Sequence, residues 1–297
     1  MVAAEQPLEQ MRIVPLRHPW RWVGIAVIAL VAAQALQSVV TNDRFQWGVV
    51  FGYLFSPTIL DGLVMTIALT AASMVIGLLL GVVLAAMRTS RSLVFRSVSS
   101  AYIWFFRGTP VLVQLVFWYN LGYLYPQFQL GLPFLPPVFT ANINDIITPL
   151  TAALLGLSLN EGAYLAEIVR AGILAVPLGQ SEAASSLGMT KFQAFAKIVL
   201  PQAMRIIIPP TGNETIGMLK TTSMVSVIAL ADLMYSAQTI YSRTFEVIPL
   251  LICVSIWYLV LTSLLSIVQS RIESYFGRGD ARSSAEKPAM RLSGGAA

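Results

Sequence analysis

A handful of charged and amide side chains lie inside otherwise apolar stretches, where each needs a partner or a purpose. Arg107 sits in FFRGTPVLVQLVF, Asn160 and Glu161 in the middle of another apolar run, and Glu214 just after Pro209-Pro210-Thr211-Gly212-Asn213. The chemistry open to such groups is reversible binding. A guanidinium holds a carboxylate through two parallel hydrogen bonds, and a carboxylate holds an ammonium or guanidinium group. Asn160, Tyr164 and Glu167 share one helical face at i, i+4 and i+7, flanked by Ala163 and Ala171. A small and polar stripe in an apolar helix faces protein or a water-filled path rather than lipid. Asn160, Glu161, Glu214 and Arg107 are therefore the candidates for a polar substrate cavity. Arg107 has two other readings, an ion pair with Glu167, which is the favoured one, and a side chain that reaches the cytoplasmic surface. Glu167 itself could line the path, or could pair with Arg170 or Arg107 to orient helices, and pairing is the favoured reading. Lys220 is placed with Glu167 and Arg170 among the structural charges. Proline removes a backbone donor and bends a helix, so Pro209-Pro210 is expected to break its segment and free backbone groups near Glu214. The alternative is a bend shaped by packing alone.

Nothing here is a catalytic arrangement. The one histidine is His18, near the N-terminus, and the one cysteine is Cys253, within an apolar run. No GxxxxGK[ST] phosphate loop occurs. No catalytic residue, metal site or cofactor is expected, and any ATP that drives this chain must bind elsewhere.

The elements that carry these residues are long apolar segments. The chain of 297 residues is 56% hydrophobic and 11% charged, against about 25% charged for a soluble domain. Six segments, roughly 22–40, 58–87, 98–121, 149–172, 204–232 and 248–270, can each cover the ~20 residues of a spanning helix. Strict short-period alternation is missing, so a barrel is excluded. The expected fold is an all-α integral membrane protein with six transmembrane helices.

Lys and Arg set the orientation. Arg12, Arg17 and Arg21 precede the first segment, and Arg88, Arg91 and Arg96 lie between the second and third. Arg170, Lys191, Lys197 and Arg205 flank or occupy the fourth-to-fifth connection, and Arg271, Arg278, Arg282, Lys287 and Arg291 follow the sixth. The other side has Arg44 and Arg243. Both termini are thus expected in the cytoplasm, with the proline- and aromatic-rich stretch 122–148 as an outer loop. The net charge of +5 comes from loops beside apolar segments, which points to a membrane surface and excludes nucleic acid. Ala33-Gln34-Ala35 resembles a signal-peptidase site, but the preceding tail carries Glu5 and Glu9 and suits a retained helix. Trp20, Trp22, Trp47, Trp104 and Trp118 fall near proposed span ends, as an interfacial belt would.

One polar stretch between apolar segments fixes the class further. Residues 182–201 read EAASSLGMTKFQAFAKIVLP: Glu182-Ala183-Ala184, three residues, Gly188, nine residues, then Ile198-Val199-Leu200-Pro201. This resembles the EAA loop of permease subunits of bacterial ABC importers at every defined position. Arg107-Gly108-Thr109-Pro110, Gly162 through Arg170, Gly179-Gln180, Pro201-Gln202-Ala203, Pro209-Pro210, Gly212-Asn213-Glu214 and Lys220-Thr221-Thr222-Ser223 are similar to the polar amino acid branch of that family. Thr221 stands where that branch often has Asp. The resemblance runs from residue 58 to about 270 and omits the first segment.

What the resemblance implies is a five-helix importer permease core plus one extra N-terminal helix. The domains would be 1–57, with the first helix and an outer loop; 58–272, the permease domain with its coupling loop at 178–201; and 273–297, a disordered cytoplasmic tail. The loop would be a short cytoplasmic helix docked on a separate ATPase subunit. There Glu182 would face an Arg-bearing groove, Ala183 and Ala184 would allow close approach, and Gly188 would supply the positive φ that ends the helix. Partners would be cytoplasmic ATPase subunits, an extracytoplasmic substrate-binding protein, a second permease copy (the same chain or a sister), an amino acid and membrane lipid, in a bacterial inner membrane. Two other classes fit less of the sequence. A secondary transporter or channel working without an ATPase leaves the EAA stretch unexplained, and a polytopic membrane enzyme lacks its constellation of residues.

Overall fold

The computed structural model describes residues 19–130 and 137–285. His18, Arg12, Arg17, Lys287 and Arg291 lie outside them. The chain divides into two compact units at Trp47.

The first unit holds α1 (Pro19–Thr41) and a 3-10 turn at Asp43–Phe45. Asn42 starts that turn by accepting from the Arg44 N–H, and Trp47 Nε1 donates to Val39 O at 3.0 Å. α1 is long and apolar enough to cross a membrane.

The second unit begins within α2 (Trp47–Leu54). α3 (Pro57–Arg88) opens with proline at its first position, where the missing N–H costs nothing. α4 (Leu93–Gly108) and α5 (Val111–Tyr119) follow, then a short α6 (Leu121–Leu124). Next come β1 (Gln127–Leu130) and β2 (Phe139–Asn142), an antiparallel pair in which Gln127 faces Asn142, and a single turn α7 (Ile143–Ile146). α8 (Pro149–Leu174) is capped by Thr148 and again has proline at its first position. α9 (Leu178–Ser186), α10 (Lys191–Ala194), a π-helical turn at 195–199 and α11 (Leu200–Thr221) lead to a 3-10 stretch at 222–228. α12 (Leu233–Thr244) and α13 (Val247–Ala285) complete the chain.

α3 and α8 form the most extensive helix pair. Their seam is made of small residues. A Cβ at Gly77 would stand 3.0 Å from Glu161 Cγ, one at Gly81 2.9 Å from Leu165 Cβ, and one at Gly162 2.8 Å from Leu80 Cδ2. Gly77-Leu-Leu-Leu-Gly81 is a GxxxG motif, which lets two membrane helices approach backbone to backbone. Around this seam Leu69, Leu115, Leu157, Leu165 and Val225 form the buried core, with a second cluster of Leu84, Ile103, Phe106, Ala163 and Ala166.

The fold is helical with one small hairpin among the described residues, and the segments differ from six uninterrupted spans. α1, α3 and α13 pass as spans by length and composition. Two further candidates are bent pairs: α8 with α9 at 57°, and residues 191–228 with α12 at 44°. The expected third segment, 98–121, is two helices. Pro110 has no N–H to give to Phe106 O, and Thr109 before it is extended at φ −114°, ψ 140°. The fifth segment does not break at Pro209-Pro210. Both prolines lie inside α11, and its helical bonding gives way only at Thr222. Side chains bond two carbonyls of this turn: Gln269 Nε2 on α13 donates to Pro209 O at 2.7 Å, and Thr211 Oγ1 donates to Ile207 O at 2.8 Å. The C-terminal stretch expected to be disordered from 273 is helical to Ala285, with Gln269 Nε2 bonded to Glu273 Oε1 one turn on at 2.8 Å.

Candidate functional site

The break between α4 and α5 builds the site. Removing the Pro110 N–H leaves the Phe106 carbonyl without its helical donor, and a bare carbonyl at membrane depth is costly. Two side chains supply the missing bonds. Asn160 Nδ2 on α8 donates to Phe106 O at 2.8 Å, and Gln114 Nε2 on α5 donates to the same oxygen at 3.1 Å. Gln114 also reaches Thr109 O at 3.1 Å and Thr109 Oγ1 at 2.7 Å, and Asn160 Nδ2 lies 3.3 Å from Gln114 Oε1. Thus one proline specifies a polar knot among α4, α5 and α8.

Beside this knot is a cavity of about 460 Å³. Arg107, Thr109 and Pro110 of the break form one wall, Asn160, Glu161 and Tyr164 of α8 the second, and Glu214, Gly217 and Thr221 of α11 the third. The four residues named from sequence as cavity candidates therefore meet in one place. Their states differ. Arg107 is exposed, with its guanidinium carbon 5.0 Å from the centre of the Tyr164 ring. Glu214 is half-buried. Glu161 is 5% exposed, and its Oε1 has no hydrogen-bond partner. The room for its side chain comes from Gly77 opposite. Among the described residues no ion pair joins Arg107 to Glu161, Glu214 or Glu167.

The structural charges arrange differently from expectation in two respects. Glu167 pairs with Arg170 through both Nε at 2.9 Å and Nη2 at 2.6 Å, and Arg88 at the end of α3 approaches its other oxygen at 3.9 Å. Arg88 was not foreseen, because nothing in the spacing places the end of one segment beside the end of another. Lys220, expected among the structural charges, is exposed and joins no ion pair among the described residues. It falls on the face of α11 next to that of Glu214 and Thr221. Gln114 was also missed, although a lone glutamine four residues after a proline in an apolar run is the signal of a side chain replacing a lost backbone donor.

The EAA stretch is a helix ended by a left-handed glycine. Gly188 has φ +77°, its N–H donates to Ser185 O at 3.0 Å, and the Met189 N–H donates to Ala184 O at 3.1 Å. These are the two bonds of the Schellman motif. Thr190 and Gln193 then form a reciprocal capping box that starts α10. Glu182 and Ala183 are exposed, and Ala184 turns inward at 3% exposure. The helix thus presents its carboxylate outward and fastens itself by its small residue.

The family model for binding-protein-dependent transport system inner membrane components matches residues 77–276. The arginine transport system permease protein ArgU of Corynebacterium glutamicum is 44% identical over 282 residues, covering 94% of this chain and 86% of that protein. The L-cystine transport system permease protein TcyB of Bacillus subtilis is 37% identical over 225 residues, 75% of this chain and 88% of that one. A solved structure described as an amino acid ABC transporter with histidines shares 38% identity at a TM-score of 0.64, over 74% of this chain and 95% of its own.

Proposed function

The chain belongs to the family of binding-protein-dependent transport system inner membrane components, and from that premise we propose that it passes an amino acid with a cationic side group through the cavity between α4, α5, α8 and α11. It is a multi-pass membrane protein and the permease subunit of an ABC importer, a transport subunit like its relatives. The observation that carries the substrate reading is the convergence of Arg107, Asn160, Glu161 and Glu214 on one cavity of about 460 Å³, a size suited to a small ligand. Arg107 offers a guanidinium to the substrate carboxylate. Glu161 and Glu214 offer two carboxylates to its cationic groups, and the unpartnered Glu161 oxygen is an acceptor that such a ligand would satisfy. The arginine named for the relative at 44% identity supports the same class.

In this proposal the exposed Glu182 edge of α9, with Ala183, Ala184 and Gly188, meets a cytoplasmic ATPase subunit. The opposite end receives substrate from an extracytoplasmic binding protein, and a second permease copy, identical or a sister chain, completes the path. ATP closes the ATPase pair, α9 moves with it, and the helices alternate access around the cavity. Both termini and α9 then lie in the cytoplasm of a bacterial inner membrane, which the Lys/Arg distribution supports.

Reconstitution in proteoliposomes tests this. With ATPase and binding protein present, ATP-dependent uptake of labelled arginine or lysine should exceed that of glutamine or cystine. Uptake that persists without the ATPase would overturn the importer coupling, and a preference for neutral amino acids would overturn the substrate class.

A further inference from the structure

At the end of the bundle that carries α9, a broad open groove of about 780 Å³ lies between α3, α4 and α8. Three guanidiniums converge on it: Arg88 from the last residue of α3, Arg96 from the first turn of α4, and Arg170 from the last turns of α8. One carboxylate is near. Glu167 holds Arg170 firmly and Arg88 at 3.9 Å, and Arg96 joins no ion pair among the described residues. The groove is therefore left with about two uncompensated positive charges. Its wall adds the hydroxyl of Ser97, while those of Thr89 and Ser100 donate to the Ala85 and Arg96 carbonyls. The groove rises along α4 to Trp104, which is 77% exposed, and on the same helix Val94, Phe95, Val98 and Phe105 are exposed as well.

This combination fits one ligand chemistry. α3 is a candidate spanning helix that ends at Arg88, so the arginines stand at headgroup depth, while Trp104 and Phe105, about two turns beyond Arg96 on α4, stand where acyl chains run. Guanidiniums with neighbouring hydroxyls bind phosphate oxygens, and an amphipathic tryptophan belongs at that boundary. We propose that this groove binds the phosphate headgroup of an anionic phospholipid, with Arg96 and Arg88 as its main cationic contacts. Glu167 keeps Arg88 and Arg170 extended toward the groove and, by its own charge, limits the site to a single phosphate-sized anion. The proposal rests on the membrane placement of the chain and not on the substrate reading, so either can fail alone.

The test uses the assembled importer with its ATPase subunits, in mixed bilayers of phosphatidylglycerol and phosphatidylcholine, with retained lipids counted by native mass spectrometry. Wild type should retain phosphatidylglycerol selectively. Arg96→Gln should reduce that retention about fivefold, the effect of one lost cation at the surface, and Arg96→Lys should restore most of it. Arg96 is the lead variant because no ion pair of the fold depends on it. Equal retention in wild type and Arg96→Gln would overturn the proposal. So would a bound lipid that inorganic phosphate displaces at millimolar concentration, since the groove would then be a site for the free anion. Cross-linking of a cysteine placed at Ser97 to another subunit of the complex would also overturn it, by showing a protein interface there.

Discussion

At the scale of single residues, Asn160 and Glu161 are neighbours with different work. Asn160 repairs the carbonyl that Pro110 strips of its donor, so its truncation leaves a buried acceptor with one partner fewer. We expect Asn160→Ala to cost about 1–3 kcal/mol in stability, read as a lower unfolding midpoint of the purified protein. Glu161 has a buried oxygen that nothing in the protein satisfies. Glu161→Gln keeps its size and removes its charge. That variant should fold normally yet raise the transport KM about tenfold, by losing one charged contact to the substrate. A Glu161→Gln protein that unfolds early while its KM stays unchanged would reverse the assignment. The pairing of Glu167 was legible as a stripe of polar residues at helical spacing. Its second partner, Arg88, was not, because i, i+3 neighbours can be counted along a sequence and interhelix neighbours cannot.

At the scale of elements, α9 depends on its end. Gly188 sits at φ +77°, which proline cannot adopt and which costs another residue roughly 1–2 kcal/mol. Gly188→Pro should therefore destroy the Schellman turn, and Glu182→Ala should remove the outward carboxylate without disturbing it. Both are expected to lower ATPase co-purification and substrate-stimulated hydrolysis while membrane insertion stays normal. Gly179 on the same helix makes a folding control: its Cβ would meet open space within the chain at ordinary φ, so Gly179→Ala should leave the helix folded. Normal coupling in both Gly188→Pro and Glu182→Ala would remove α9 from the docking role. The two proline sites show how little a motif says about its consequences. Thr109-Pro110 separates two helices, whereas Pro209-Pro210 is carried inside one. At the first, Asn160 and Gln114 bond the carbonyl that the proline leaves without a donor; at the second, Gln269 and Thr211 bond other carbonyls of a turn that stays helical.

At the scale of the whole molecule, the Lys/Arg asymmetry and the EAA stretch agree on which end faces the cytoplasm. Cysteines introduced singly at Ser185 and at Phe139 should separate cleanly. The first is expected to react with a membrane-impermeant maleimide only from the cytoplasmic side, and the second only from outside, in intact cells against inverted vesicles. Labelling of Ser185→Cys from outside would overturn the orientation and the docking of α9 together. The groove of Arg88, Arg96 and Arg170 lies between the ends of α3 and α8 and the start of α4, so the same labelling tests which side of the membrane it faces.

The sequence by itself determined the class. Composition and segment length require a membrane protein, because so few charges cannot solvate so much apolar surface. The spacing of Glu182, Gly188 and Pro201 fixes a helix, its glycine end and the next helix, since each of those features is local. The polar residues of the apolar runs were also legible, because an ionisable group at membrane depth needs a partner. Only the tertiary structure decided which of them meet. The GxxxG seam of Gly77 and Gly81 brings α3 against α8, and the α4–α5 break turns Arg107 toward Tyr164. The third span is two helices and the fifth is not broken at its prolines, so a proline in an apolar run does not by itself say where a helix ends. Asn160, which bonds the freed Phe106 carbonyl, comes from another helix, and no local pattern names it.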